Sequence, residues 1–244
     1  MAKGRALKLL PGGHSMNPAL TRTYGSYHFG VSSELTDRQI EQLIQLFNMP
    51  TNSVHSVLGG RTSVAIAQLE DVGSVVVKYY IRGGLLRHLV QRRYLKLGKT
   101  RCQIEYEVFH KVRSLGVGAP EPIAYASKGS VFYRGWLVTR LIKRHQTLAE
   151  LSCTDQDRTR IAMDELIHHL SILIDNHILH IDLHPGNVLV DANNHTFLVD
   201  FDKACLCPGD KNRLRHQYLT RWRRSVTKHG LPKVLCDTMS AALQ

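Results

Sequence analysis

The chain has 244 residues, of which 43% are hydrophobic, enough to bury the core of one two-lobed domain or of two small domains. Its 32 Lys and Arg residues outnumber its 20 Asp and Glu residues, and the net charge of +12 predicts an anionic partner such as nucleic acid, anionic lipid or a phosphorylated substrate. The five cysteines are spread along the chain without a Cys-x-x-Cys pair, so we expect no disulfide framework and a reducing compartment.

The N-terminus begins like a signal peptide but does not continue as one. Its apolar part is interrupted by Lys8 and ends at Pro11, so we do not expect export. No apolar stretch approaches the ~20 residues of a membrane-spanning helix. The protein is therefore expected to stay in the cytoplasm, at most lying against a membrane.

The first half of the chain predicts antiparallel strands. Residues 1–33 show no clear periodicity and are expected to be loosely ordered. A helix should begin at Thr36, because Gln39 lies three residues later and completes a capping box. Hairpin-forming strands are then predicted at residues 53–58, 62–69 and 74–80.

The second half predicts more helix. The apolar spacing indicates helices over residues 101–115, 155–177, 210–229 and 232–243. Strands are predicted at residues 123–127, 132–141, 188–190 and 196–199. A polar stretch at residues 143–146 would serve as a hinge.

The run from His180 to Asp202 carries the most specific chemical pattern. Asp182 stands five residues before Asn187, and Asp200 ends an apolar strand. In phosphoryl transfer from ATP, one carboxylate accepts the proton of the attacking hydroxyl, while a carboxamide and a second carboxylate hold Mg²⁺ against the phosphates. The spacing matches the catalytic loop of protein kinases, with Asp200 in the place of their DFG Asp. It predicts Asp182 as the base and Asn187 and Asp200 as magnesium ligands.

Two further residues complete this pattern upstream. Lys78, near the end of a predicted strand, would hold the α- and β-phosphates of ATP. The helix that follows offers Glu105 and Glu107 as acidic partners. Glu105 lies at the edge of the apolar stripe and Glu107 points away from it, so Glu105 is the predicted partner.

The first predicted hairpin contains Gly59, Gly60 and Ser63. The two glycines would let backbone amides approach the phosphates, and the serine would add a hydroxyl. The stretch is not a Gly-x-Gly-x-x-Gly motif, and two glycines in a hairpin are also typical of a simple turn.

Several residues around the loop keep open roles. His180 is predicted to support the loop, and a neutral His184 to hydrogen-bond the γ-phosphate. Asp202 would bind a second metal or pair with Lys203. A zinc site at His177, His180 and His184 is a weaker alternative, since these residues span a helix end and a loop.

The order of elements and motifs predicts an α+β, protein-kinase-like two-lobed fold. Residues 34–142 would form an N-lobe of antiparallel sheet plus one helix. Residues 143–244 would form a helical C-lobe with the catalytic hairpin. ATP and Mg²⁺ are the predicted cofactors.

Two basic stretches predict contact with an anionic interface. The first runs from Arg82 to Arg101 and mixes cations with Leu, Val and Tyr, as an amphipathic segment does. The second runs from Lys211 to Arg224 and includes Tyr218 and Trp222. No known nucleic-acid module is present, so a membrane surface is favoured over nucleic acid. A solvated charged face is the plain alternative.

The motifs together resemble those of the lipopolysaccharide core kinases, most closely the 3-deoxy-D-manno-octulosonic acid (Kdo) kinases. The similarity covers roughly residues 55–230. Its most specific parts are the Arg-Gly-Gly after Lys78 and the Asp-Phe-Asp that begins at Asp200. Further similar segments are residues 92–95, 105–106, 117–122, 133–139, 182–187 and 214–225.

The resemblance implies ATP-dependent phosphorylation of the 4-hydroxyl of Kdo on a lipid A precursor. It also implies peripheral attachment to the cytoplasmic face of the inner membrane, which agrees with the basic charge. A heptose kinase of the same core is the nearest alternative, followed by a small-molecule or protein kinase. A non-catalytic adaptor that binds glycolipid or nucleic acid is the alternative from another class.

Overall fold

The structure is a computed structural model that describes residues 20–49, 63–80, 94–95 and 98–243. Contacts divide the chain into two compact units. The sheet unit comprises the described residues of His14–His110 and Glu121–Leu141, and the helical unit comprises those of Lys111–Pro120 and Ile142–Gln244.

An antiparallel sheet forms most of the sheet unit. Its strands are β1 Leu20–Tyr24, β2 Tyr27–Val31, β3 Ser63–Leu69, β4 Gly73–Tyr79, β5 Tyr94–Leu95, β6 Pro122–Lys128 and β7 Phe132–Arg140. They lie in the order β1-β2-β6-β7-β4-β3, and β5 also pairs with β7. All of these pairings are antiparallel. Because β4 pairs with β3 on one edge and with β7 on the other, it is an interior strand of the sheet.

Helix α1, Asp37–Asn48, begins with the predicted capping box. The Thr36 hydroxyl accepts a hydrogen bond from the backbone nitrogen of Gln39 at 3.2 Å, and the Gln39 side chain accepts one from the backbone nitrogen of Thr36 at 2.9 Å. Its buried apolar residues are Ile40, Leu43 and Phe47. They pack into the core of the sheet unit, where the Phe47 ring stacks on Trp136 at 4.6 Å.

Helix α2, Arg101–Ser114, leads from the sheet unit to the helical unit. Just after it, the Gly118 carbonyl accepts a hydrogen bond from the backbone nitrogen of Leu198 at 2.9 Å. This bond ties residues 111–120 to the hairpin of the helical unit. The predicted N-lobe, residues 34–142, contains residues 111–120, which the structure groups with the helical unit instead.

The helical unit combines four helices with short strands. The helices are α3 Leu148–Thr154, α4 Gln156–Asp175, α5 Lys211–Lys228 and α6 Val234–Leu243. The strands are β8 Gln146–Thr147, β9 Ile178–Leu179, β10 Val188–Val190, β11 Thr196–Leu198 and β12 Cys205–Leu206. β8, β10 and β11 form one antiparallel sheet, and β9 pairs with β12.

Helix α5 is anchored in the core by two aromatic side chains. Tyr218 and Trp222, one turn apart, are 2% and 0% exposed. The Trp222 indole nitrogen donates to the Leu235 carbonyl at 2.8 Å, which links α5 to α6. The inclusion of these rings in a basic surface patch was wrong, because their spacing places both on the buried face of the helix.

The predicted α+β, protein-kinase-like fold is confirmed by this arrangement. The expectation of a loosely ordered N-terminus is wrong for residues 20–31, which form β1 and β2. These two strands are held in the sheet by the pairing of β2 with β6, which lies nearly a hundred residues later in the chain. Local periodicity does not reveal a pairing between such distant segments. The strand predicted at residues 53–58 lies outside the described residues. None of the helices in the described ranges is long and apolar enough to span a membrane.

Candidate active site

Lys78 is positioned by the alternation of β4. Successive side chains of a strand face opposite sides. Val77 and Tyr79 are buried in the core of the sheet unit, so Lys78 extends from the other face. Because β4 is paired on both edges, the backbone that carries this lysine is well fixed.

Glu105 of α2 is the ion-pair partner of Lys78. The lysine Nζ lies 2.8 Å from each carboxylate oxygen, and the glutamate side chain is 0% exposed. Burying a carboxylate is costly unless it is paired and hydrogen-bonded. The Tyr80 hydroxyl donates to the same carboxylate, which supplies a further bond. Glu107 pairs instead with Lys99 at 2.7 Å in a more exposed position.

The predicted phosphate-binding hairpin is only partly described. Gly59 and Gly60 lie outside the described residues. The backbone of Ser63 begins β3 and pairs with Tyr79 at the end of β4.

His180 fixes the loop that carries the predicted base. Its Nε2–H donates to the Val199 carbonyl at 2.9 Å, and its ring lies 4.5 Å from that of Phe201. Burial lowers the pKa of His180, so the ring is neutral near pH 7. Its backbone nitrogen donates to the Tyr218 hydroxyl at 2.9 Å, and this hydroxyl donates to the Ile178 carbonyl at 2.9 Å. Helix α5 therefore supports the loop directly.

Asn187 and Asp200 are held on neighbouring segments. Asn187 ends a short 3-10 helix, Pro185–Asn187, and its Nδ2 donates to the Asp182 carbonyl at 3.0 Å. This bond orients the amide so that its oxygen is the end available to a ligand. The Val199 nitrogen donates to the Asn187 carbonyl at 3.0 Å. Asp200 follows with a φ of +64°, a strained conformation for a residue other than glycine and typical of functional sites.

The Asp182 carboxylate is bound by two cations. The Lys203 Nζ lies 2.8 Å from Oδ2, and the Arg221 guanidinium contacts Oδ1. Partial burial of the carboxyl alone would raise its pKa, but the lysine hydrogen bond and the two positive charges outweigh this and lower it. Asp182 is therefore ionised at neutral pH and able to accept a proton.

His184 presents one defined ring nitrogen. Its Nδ1 accepts a hydrogen bond from the Gly186 nitrogen at 3.1 Å, so the neutral ring carries its proton on Nε2. Burial lowers the pKa of His184 and favours this neutral form. The zinc alternative finds no support, because within the described ranges no three His, Cys, Asp or Glu side chains cluster as metal ligands.

The donor set suits magnesium better than zinc. Mg²⁺ prefers oxygen ligands and in kinases binds one or two protein groups together with substrate phosphates. Asn187 offers an oriented amide oxygen and Asp200 a carboxylate. A third protein acid is therefore not needed for this ion.

Lys203 and Arg221 contact the predicted base, and the sequence did not assign either of them to this site. Lys203 was weighed only as a partner of Asp202. Arg221 lies 39 residues from Asp182 in the chain, and its charge was counted with the basic stretch. Only the packing of α5 against the loop shows that it belongs beside the predicted base.

The chain is similar to known lipopolysaccharide kinases. The profile of the lipopolysaccharide kinase (Kdo/WaaP) family matches residues 48–239. A 3-deoxy-D-manno-octulosonic acid kinase of Vibrio vulnificus (strain CMCP6) is 30% identical over 190 residues, covering 75% of this chain and 77% of the relative. Relatives of the same name from Photobacterium profundum and Xylella fastidiosa (strain M23) are each 29% identical, over 174 and 175 residues. These alignments cover 69% and 70% of this chain, and 71% and 68% of the relatives.

Proposed function

Because the chain belongs to the lipopolysaccharide kinase (Kdo/WaaP) family and is an ATP-dependent kinase, we propose that it phosphorylates the 4-hydroxyl of Kdo on a lipid A precursor. The relatives that support this acceptor bear the name of Kdo kinases and align with most of the chain. The product would be a Kdo phosphate monoester in the inner core of lipopolysaccharide.

One observation carries the proposal. The Asn187 amide donates to the Asp182 carbonyl, and the Asn187 carbonyl accepts from the backbone nitrogen of Val199, the residue directly before Asp200. The predicted base and the two predicted oxygen ligands for a cation therefore lie on neighbouring segments that hydrogen bonds join. Phosphoryl transfer relies mainly on such positioning and on charge stabilisation.

Asp182 would act as the base at the acceptor. The acceptor oxygen forms a bond to the γ-phosphorus, the bond from that phosphorus to the bridging oxygen of ADP breaks, and the hydroxyl proton passes to a carboxylate oxygen of Asp182. The transition state of phosphoryl transfer is loose, so little proton transfer is needed before the phosphorus moves. A carboxylate with a lowered pKa therefore suffices as the base.

Lys78 and Glu105 would hold the nucleotide. The buried glutamate keeps the lysine ammonium in place, and this cation would bind the α- and β-phosphates. Gly59, Gly60 and Ser63 would complete the phosphate contacts. Mg²⁺, held by Asn187 and Asp200, would neutralise the charge of the phosphates.

We place the enzyme at the cytoplasmic face of the inner membrane, as a peripheral protein without nucleic-acid binding. Anionic lipid attracts clustered Lys and Arg by about 1 kcal/mol for each residue near the surface. In the second basic stretch, Lys211 pairs with Asp175 and Arg221 with Asp182, while Arg213 and Arg224 are exposed. The first stretch lies mostly outside the described residues.

The membrane role has a direct test. The double variant Arg92→Glu with Arg93→Glu should bind anionic vesicles more weakly and bind ATP as the unaltered protein does. Neutral vesicles provide the baseline. Equal binding of both proteins to anionic vesicles would remove the first stretch from the proposal.

The function is tested by transfer of labelled γ-phosphate from Mg-ATP to a Kdo–lipid A precursor. We expect a labelled glycolipid with the phosphate on the 4-hydroxyl, and no label with Asp182→Ala. An acceptor that carries heptose in the next core position provides the comparison. Label that appears only on the heptose, or no label although ATP binds, would contradict the Kdo acceptor.

A further inference from the structure

Two cations surround one carboxylate at the predicted base. Lys203 and Arg221 bring two positive charges to the single negative charge of Asp182. Their side chains are 59% and 43% exposed, so both cations remain accessible from solvent. The ion-paired group therefore carries one excess positive charge, which suits an anionic ligand.

The same arrangement makes Asp182 a weaker base, because both cations stabilise its ionised form. Each oxygen of Asp182 accepts a hydrogen bond from one cation, and an acceptor hydroxyl would use a second lone pair of this carboxylate. Transfer of one cation to another partner when the acceptor binds would make Asp182 more basic and more open to the hydroxyl. An exchange of one carboxylate for another at the guanidinium would achieve this with little loss of ion pairing.

Arg221 is better suited to this exchange than Lys203. It projects from α5 beside Tyr218 and Trp222, which are buried and fix that turn of the helix. A guanidinium presents paired donors that match the two oxygens of a carboxylate, whereas an ammonium acts as a point charge. Lys203, in the turn after Asp202, can stay on Oδ2 while Oδ1 is released.

The proposed acceptor supplies a carboxylate at the right place. Kdo is an octulosonic acid, and in its ring form the carboxylate and the 4-hydroxyl are borne by carbons that one methylene separates. A 4-hydroxyl that reaches Asp182 therefore brings an acid group to within one sugar ring of it. Arg221 contacts Asp182 directly, so its long side chain can reach that group.

We infer that Arg221 recognises the carboxylate of the acceptor sugar, and that this carboxylate replaces Asp182 as its partner and leaves Asp182 a stronger base. The inference rests on the proposed function, since it takes Kdo as the acceptor. It assigns to α5 a role in selecting acidic over neutral sugars, in addition to its support of the loop.

The test compares two acceptors and three arginine variants. The acceptors are the Kdo–lipid A precursor and the same molecule with its carboxylate converted to a primary amide. The variants are Arg221→Gln, Arg221→Lys and Arg223→Gln. Arg223 is the matched control, because it lies on the same helix, is also exposed, and contacts Ser240 rather than the loop.

We expect the unaltered enzyme to favour the acid over the amide in kcat/KM by roughly tenfold to a hundredfold, the range of a charge-assisted pair partly open to water. Arg221→Gln should reduce this preference to less than about threefold, mainly through loss of activity on the acid. Arg221→Lys should keep an intermediate preference, because it retains charge without the fork. Arg223→Gln should keep the full preference for the acid. The KM for ATP should not change in any of the three variants.

Other outcomes overturn the inference. A preference that survives in Arg221→Gln, or an unaltered enzyme without any preference, shows that Arg221 does not read the carboxylate. An equal loss on both acceptors assigns Arg221 to the transferring phosphoryl group or to a structural role. Absence of transfer to either acceptor by the unaltered enzyme overturns the proposed function itself, and this inference with it.

Discussion

The Tyr218 hydroxyl and the His180 backbone nitrogen lie 2.9 Å apart, in a contact between helix α5 and the loop that carries Asp182. The same hydroxyl donates to the Ile178 carbonyl, so one side chain satisfies two backbone groups around the strand that precedes the loop. Such groups are expensive to bury without partners. The loop therefore depends on a residue 38 positions later in the chain.

Tyr218→Phe should lower both stability and kcat. The substitution keeps the ring and removes the hydroxyl, which leaves a buried nitrogen and a buried carbonyl without their partner. We expect a loss of about 1–3 kcal/mol in the free energy of unfolding. Chemical denaturation measures the stability, and phosphate transfer measures kcat. Tyr24→Phe is the control, since that hydroxyl bonds Glu41 at an exposed position. Similar effects of both substitutions would contradict the role assigned to Tyr218.

The two acids of α2 predict different outcomes on substitution. Glu105→Ala leaves the Lys78 ammonium without its main buried partner, and breaking a buried pair in this way costs roughly 3–5 kcal/mol. The KM for ATP should rise as well, because the lysine loses its fixed position. Glu107→Ala breaks a more exposed pair with Lys99 and should cost less than about 1 kcal/mol.

Denaturation and nucleotide titration of the two variants check this contrast. Glu105→Gln serves as a milder form of the first substitution, because it keeps the volume and one acceptor oxygen. An unchanged KM for ATP in a folded Glu105 variant would argue against a role of Lys78 at the phosphates.

The sequence predicted much of this architecture because its signals are local. The capping box at Thr36, the periodicity of α2 and the spacing from Asp182 to Asn187 each lie within a few residues of chain. These patterns were enough to predict the kinase-like fold.

What the sequence could not predict depends on distant partners. β1 and β2 are ordered by pairing with β6, and Arg221 reaches Asp182 only through the packing of α5. A run of Lys and Arg has the same composition whether its members face solvent or an internal carboxylate. The burial of Tyr218 and Trp222 fixes which side of α5 packs inward, and thereby which cations of this helix can reach the loop. That burial is known only from the fold.

Acidification should destabilise the protein below about pH 6.5, the ordinary pKa of histidine. Burial lowers the pKa values of His180, His184 and His169 in the folded protein. As the pH falls through this value, the unfolded chain takes up protons that the folded protein does not. The unfolded state then binds more protons, so the free energy of unfolding decreases. The lowered pKa of Asp182 acts in the same direction at still lower pH.

Denaturation midpoints between pH 8 and pH 5 measure this dependence. His184→Gln should show a shallower decline below pH 6.5, because it removes one of the three groups. Above pH 7.5 the two proteins should differ only by a constant offset, since histidines are neutral there in both states. Parallel curves over the whole range would exclude His184 as a contributor.

Asp200 and Asp202 should respond differently to magnesium. Asp200 follows directly on Val199, whose nitrogen is bonded to the Asn187 carbonyl. If Asp200 is the charged ligand that we propose, Asp200→Asn should raise the magnesium concentration for half-maximal activity at least tenfold, a loss of about 1.4 kcal/mol or more in binding. Asn187→Ala should shift the same curve in the same direction, because the amide oxygen is lost.

Asp202→Asn is the matched comparison, with the same change of charge two residues later. Shifts for Asp200→Asn and Asn187→Ala without one for Asp202→Asn would assign the metal to Asp200 and Asn187. Equal shifts for both aspartate variants would indicate that Asp202 holds a second ion. Initial rates as a function of magnesium at saturating ATP distinguish the two cases, and unchanged curves for Asp200→Asn would remove this residue from the metal site.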